Sequence, residues 1–338
     1  MTAFGPKRTF AVSTGGCVAA PLTCRHVSAW RLILGHLAVC KRWDYGPTTF
    51  AGWAVRKPVA VLVVLIGAIG SALAQKPPTE SVTVTGEKTR EAVDKFVKSV
   101  RTPTRITGKT ARWKTPLCPY VIGVQPKAVA YIKQRLKEVA ADVGAPFNIR
   151  ENCQPNMQVI FNQKPDALMQ DVKVKRPWIL GYYDNGEERD HLAVFDHPIK
   201  AWYRTATRDV RGQLEIDKME IVRKPKRING SKLNDGLQSE LYGVLIVANP
   251  DQLAGRSPEA VADYIAMLAL AQVQVRDTCQ NLLSITNLLA KDCADVPVEL
   301  TINDLGYLRG IYSAQLGLVA HLQRHDIANG MEQVLEGK

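Results

Sequence analysis

Long apolar runs are missing from this 338-residue chain. A bilayer-spanning helix needs about 20 predominantly apolar residues, and the run over residues 58–70 stops short of that. Histidine is scarce, with six in all, and the seven cysteines include no Cys-x-x-Cys pair, which removes the usual spacing of a structural zinc site. Gly-x-Ser-x-Gly, Gly-x-Gly-x-x-Gly, a phosphate-cradling P-loop and His-Glu-x-x-His do not occur. The signatures of serine hydrolases, dinucleotide enzymes, P-loop NTPases and zinc proteases are thereby absent. No cofactor is expected.

What the chain does carry is an export signal in an unusual place. Arg56-Lys57 forms a short positive head, residues 58–70 an apolar stretch, and Ser71-Ala72-Leu73-Ala74 an Ala-x-Ala exit. These are the three parts of a secretory signal peptide. Residues 55–74 are read as that peptide, cleaved after Ala74, and the protein as periplasmic or secreted with no stable membrane span once cleaved. A signal peptide belongs at the start of a chain, so residues 1–54 are read as a disordered upstream extension and Val55 as the true initiator. The competing reading is a type II anchor with a real cytoplasmic tail. Cys17, Cys24, Cys40, His26 and His36 lie in this stretch without metal-ligand spacing.

Cleavage changes the composition. Residues 1–74 hold eight Lys or Arg and one Asp, which leaves 36 basic against 31 acidic residues and lowers the net charge from +12 to +5. That is too mild a charge to point to nucleic acid. Four cysteines remain, Cys118, Cys153, Cys279 and Cys293. An even number in an exported chain suggests two disulfides, with three possible connectivities. Local pairing, Cys118 with Cys153 and Cys279 with Cys293, is favoured because each pair brackets one stretch of chain.

Residues 75–86 read as a flexible leader and 87–335 as a single α+β domain, a mixed sheet packed with helices. Apolar residues Ala92, Val93, Phe96, Val97 and Val100 recur at helical spacing, predicting a helix over 87–100. A second helix is predicted over 126–143 and a short one from Pro165 to Val172. Strands are predicted at 120–124, 157–161 and 240–248, the last as a central strand. Residues 178–183 and 191–195, joined by Asn185-Gly186, read as a β-hairpin. Ser257-Pro258-Glu259 opens an apolar, buried helix expected to reach Val275, and Thr301 with Asp304 caps another.

Candidate sites are few. Residues 87–114 carry nine basic residues against three acidic ones, and Lys95, Lys98, Arg101 and Arg105 are candidates for holding an anionic lipid or cell-wall polymer. Asp190-His191 and Asp196-His197 each place an aspartate before an imidazole, which a carboxylate can orient as a base. If the stretch were a strand, the two imidazoles would lie roughly 20 Å apart. His321 and His325, four apart on a predicted terminal helix, are weak metal candidates, since no third ligand is evident.

Several segments look like an uncharacterised family of secreted bacterial proteins. They are Cys153-Gln154-Pro155-Asn156 leading into 157–161, residues 198–203, residues 262–270, residues 284–287, residues 300–301 and residues 304–309. The family implies no activity. More distantly, the helix from Val261 with the later Ser-Ile-x-Asn and Leu-Thr-x-x-Asp segments resembles a zincin-like metalloprotease layout. That overlay puts Ala262 and Ala266 at the two histidine positions and Asp263 at the glutamate, implying a degenerate relative without zinc.

Two functional classes follow. The first is an exported, non-catalytic envelope protein that binds a partner or an anionic surface component through residues 87–114. The second is a secreted hydrolase with a non-standard site built from Asp196, His197 and Asp263, in which Asp196 orients the imidazole and Tyr203 or Arg204 polarises a substrate.

Overall fold

In the computed structural model, which describes residues 86–150, 152–217 and 231–337, the periodic segments become a mixed five-stranded sheet with helices on both faces. The upstream extension, the signal peptide and leader residues 75–85 lie outside the described residues. In order, the elements are α1 (Gly86–Val100), β1 (Pro119–Ile122), α2 (Pro126–Val143), β2 (Met157–Phe161), α3 (Pro165–Lys175), α4 (Gly186–Leu192), β3 (Ile199–Arg208), β4 (Leu214–Ile216), β5 (Gln238–Ala248), α5 (Pro258–Leu270), α6 (Ile302–Ser313) and α7 (Ala320–Leu335). The described residues make one α+β domain, as the sequence predicts.

Strand order is β1-β2-β5-β3-β4. β1, β2 and β5 run parallel, whereas β3 runs antiparallel to β5 and β4 antiparallel to β3. Side chains alternate across this sheet. Val159, Ile199, Val244 and Ile246 enter the larger core with α1, α2, α5, α6 and α7, while Trp202, Leu245 and Val247 enter a smaller one with Met169 of α3 and Leu180. Both faces of β5 are thus covered, which is why it reads as a continuous apolar run.

Helix starts follow local chemistry. α2 has Pro126 in its first turn, and Gly144 ends it at φ 75, a left-handed cap that a side chain would strain. Ser257 accepts from the Ala260 N–H at the start of α5. Thr301 and Asp304 form a full capping box on α6. α5 is buried from Ala260 to Leu270, so its last carbonyls cannot reach water. Three side chains donate to them instead: Tyr203 Oη to Leu268 O at 3.0 Å, Trp113 Nε1 to Ala269 O at 2.7 Å and Tyr312 Oη to Leu270 O at 2.8 Å.

Three predicted features are corrected. The hairpin over 178–195 is absent; the chain forms a 3-10 turn, Pro177–Leu180, and then α4. Asn185 accepts from the Glu188 N–H at 2.9 Å, and Glu187 and Glu188 fill the first turn. Asn-Gly therefore opens a helix here instead of a tight hairpin turn. Second, α5 ends at Leu270, short of Val275. Beyond it the chain is extended and pairs with the end of α1, through Thr102 N to Gln272 O at 2.9 Å and Gln274 N to Val100 O at 2.7 Å. Third, β3 is a ten-residue strand where none was predicted.

Candidate functional site

β4 pairs only with Ala206, Thr207 and Arg208, so the rest of β3 has no neighbouring strand on that side among the described residues. A cleft of about 600 Å³ lies there, lined by His197, Lys200, Trp202 and Tyr203 and, across it, by Gln272 and Tyr182. Its far wall is the extended segment that follows α5.

Hydrogen bonding sets the phase of the edge. Asn249 N–H donates to Pro198 O at 2.9 Å, which places the alternate residues Lys200, Trp202 and Arg204 in bonding register with β5. The backbone groups of Ile199, Ala201 and Tyr203 consequently face the cleft. Ile199 C=O accepts from His197 Nδ1 at 2.9 Å. Tyr203 C=O abuts Gly181, where a Cβ would come within 2.2 Å of the oxygen, so only glycine fits. Past the bulge at Arg204 and Thr205, Thr205 C=O accepts from Asp217 N–H at 3.0 Å. Ala201, which lines the cleft, has neither its N–H nor its C=O bonded on this side among the described residues, and Tyr203 C=O, likewise unbonded, is covered by Gly181.

His197 is 8% exposed and stacks on Tyr264 with ring centroids 6.4 Å apart. A carbonyl can only accept, so the bond to Ile199 fixes the proton on Nδ1 and leaves Nε2 as an acceptor. Nε2 has no partner among the described residues, and neither does the buried Oε1 of Gln272. Burial pushes the His197 pKa down, opposed by the Ile199 bond and by Asp277 and Asp196. The imidazole is neutral at pH 7.

The predicted Asp196 and His197 dyad does not form. Asp196 accepts from Lys200 Nζ at 2.8 Å, the residue four positions on, and the Ile199 carbonyl orients the imidazole in its place. Tyr203 is spent on the end of α5, and the Arg204 guanidinium lies 5.4 Å over the Tyr242 ring. Neither is free to polarise a substrate. Asp263 lies outside the cleft: Arg135 of α2 holds it through Nε and, at 3.0 Å, Nη2, and Leu300 N–H donates to it at 2.8 Å. It ties α5 to α2 and to the entry of α6.

The basic stretch is drawn inward. Lys109 is 1% exposed, with Nζ 2.5 Å from Asp235 Oδ1 and 2.6 Å from Leu237 O. Arg112 donates to the carbonyls of Ile311, Tyr312 and Ala314. Among the four anion-binding candidates, Arg101 donates to Gly108 O at 2.8 Å, Arg105 pairs with Asp184 and Glu188, and Lys95 pairs with Glu91 at 2.7 Å. Lys98 is exposed near the end of α1. Arg105 reaches the cleft rim.

The remaining candidates lie elsewhere. His191 is exposed on α4, and His321 and His325 are on α7, with His325 Nδ1 3.9 Å from Asp94 Oδ1. No group of three or more His, Cys, Asp or Glu is placed to hold a metal among the described residues. Cys118 bonds to Cys153 and Cys279 to Cys293, the local pairing favoured from the sequence. Gln272, Tyr264 and Tyr182 were not foreseen as site residues, because nothing local marks them and only the tertiary fold brings them to His197. Set against protein-family models, curated proteins and solved structures, the chain matches none.

Proposed function

We propose that this is an exported, non-catalytic protein that binds an envelope partner in the cleft beside β3. One observation carries the reading: His197 is an oriented, neutral acceptor, buried beside the cleft, with no hydroxyl, thiol or carboxylate bonded to it among the described residues. A nucleophilic or general-base site places the group to be activated within hydrogen-bond reach of the base. Here the nearby hydroxyls of Thr104, Tyr182, Tyr203 and Thr205 are engaged with other groups. A buried acceptor left unpartnered beside a cleft of this size suits a ligand donor that displaces the lining to reach it. Export is supported by the three-part segment over 55–74, and two disulfides suit an oxidising compartment. The anionic-surface reading of residues 87–114 has less support, because Arg101, Arg105, Lys109 and Arg112 already have partners.

The test is a ligand-observed NMR screen of fragments bearing amide or hydroxyl donors against the full chain and His197→Asn. Asparagine keeps a donor for Ile199 O and removes the acceptor at the Nε2 position. Fragments that bind the wild type and lose binding to the variant are the expected result. Hits indifferent to His197→Asn, or turnover of any hit that the variant abolishes, would overturn the proposal.

A further inference from the structure

We propose that the occupant of the cleft is a short, uncharged, extended peptide that adds to the sheet as a strand along β3, pairing with the N–H and C=O of Ala201. This rests on the cleft being a binding site and names its ligand.

An exposed strand edge invites pairing by another chain, and proteins blunt such edges. Here His197 takes the Ile199 carbonyl, Gly181 covers the Tyr203 carbonyl and Asp217 takes the Thr205 carbonyl. Each closure comes from a different segment, and of the edge carbonyls from Ile199 to Thr205 that of Ala201 is the one left open among the described residues. A donor and an acceptor on the same residue of an extended strand, facing one way, complement the C=O and N–H of one residue of an antiparallel peptide strand. The interval from Ile199 to Tyr203 is about 13 Å at about 3.3 Å per residue, enough for about three paired residues.

His197 closes one end of the edge. Its Nδ1–H answers the Ile199 carbonyl, and Nε2, on the far side of the ring, is buried and without a partner among the described residues. The absence of charge follows from the pairings: Lys200 with Asp196, Arg105 with Asp184 and Glu188, and Asp277 with Lys291 at 3.3 Å. A charged peptide would have to break one of these pairs or enter the cleft without a partner.

The experiment is selection of a displayed library of random linear heptapeptides on the immobilised full chain. The tightest binder is then resynthesised with single backbone N-methyl groups at each position. Uncharged sequences should be enriched. One methylated position, the residue facing Ala201, should weaken binding by about tenfold, as expected for loss of a hydrogen bond with its desolvation cost, while its sequence neighbours leave binding unchanged. Ala201→Pro, which removes the edge N–H where proline is tolerated, should do the same. If that variant fails to fold, the methyl scan on the wild-type chain decides alone. Enrichment of charged peptides, no enrichment, or tolerance of methylation at every position overturns the inference. Should fragment binding remain sensitive to His197→Asn in any of those cases, the cleft reading stands without it. Peptide binding indifferent to both Ala201→Pro and His197→Asn lies outside the cleft, and both readings fall.

Discussion

A single imidazole shows how much chemistry its surroundings decide. The residue before His197 suggested a catalytic dyad, and the carboxylate was instead taken by Lys200, one helical turn along in number but on the next strand in space. Because burial lowers the His197 pKa in the folded state, the unfolded chain binds that proton more readily. The sign follows: His197 makes no pH-dependent contribution well above about 6.5, the ordinary histidine value, and it costs stability as pH falls through and below that value. Urea denaturation at pH 7.5 and pH 5.0 should therefore show a larger acid loss for the wild type than for His197→Asn. Equal losses would mean that the imidazole is protonated without penalty in the fold.

Between elements, α6 and α7 meet backbone to backbone at glycines. A Cβ on Gly310 would lie 2.4 Å from the Ile327 carbonyl oxygen, and one on Gly330 would lie 2.9 Å from Gly310 Cα. Backbone cannot yield as a flexible side chain does, so Gly310→Ala should cost about 1–3 kcal/mol, the usual range for overpacking. Thermal or urea unfolding measures it, and a neutral result would show that the two helices can slide apart. Elements defined by neighbouring residues were legible beforehand. α2 and β2 have their predicted bounds, and the caps at Ser257 and Thr301 act as expected. β3 was illegible because Lys200, Arg204 and Arg208 interrupt its apolar pattern, their charge answered by Asp196, the Tyr242 ring and Glu240. α4 was misread because Asn-Gly suits both a hairpin turn and a helix cap, and only the packing chooses. The cleft was half legible: His197 stood out by residue type, whereas its floor of backbone groups carries no sequence signal.

At the scale of the whole molecule, two covalent links among the described residues close separate loops. Cys118–Cys153 spans 35 residues, from just before β1 to the approach of β2, and Cys279–Cys293 spans 14 between α5 and α6. In the loop-closure account, each contributes about 3–4 kcal/mol, the longer slightly more. Replacing either pair by serine should lower the denaturation midpoint accordingly. A larger loss for Cys279 and Cys293 than for Cys118 and Cys153 would show that strain or residual structure outweighs chain entropy.

The central place of β5 has a consequence for the order in which the fold can be completed. During synthesis β1 and β2 emerge, and later β3 and β4, yet the strand that joins the two pairs begins only at Gln238. Two-stranded fragments are marginal in water. Until the ribosome passes Ala248 the sheet exists only as two unlinked halves, and α5, the helix that seals its larger core, is still to come. The nascent chain therefore stays pliable through most of its length and closes late, around one strand.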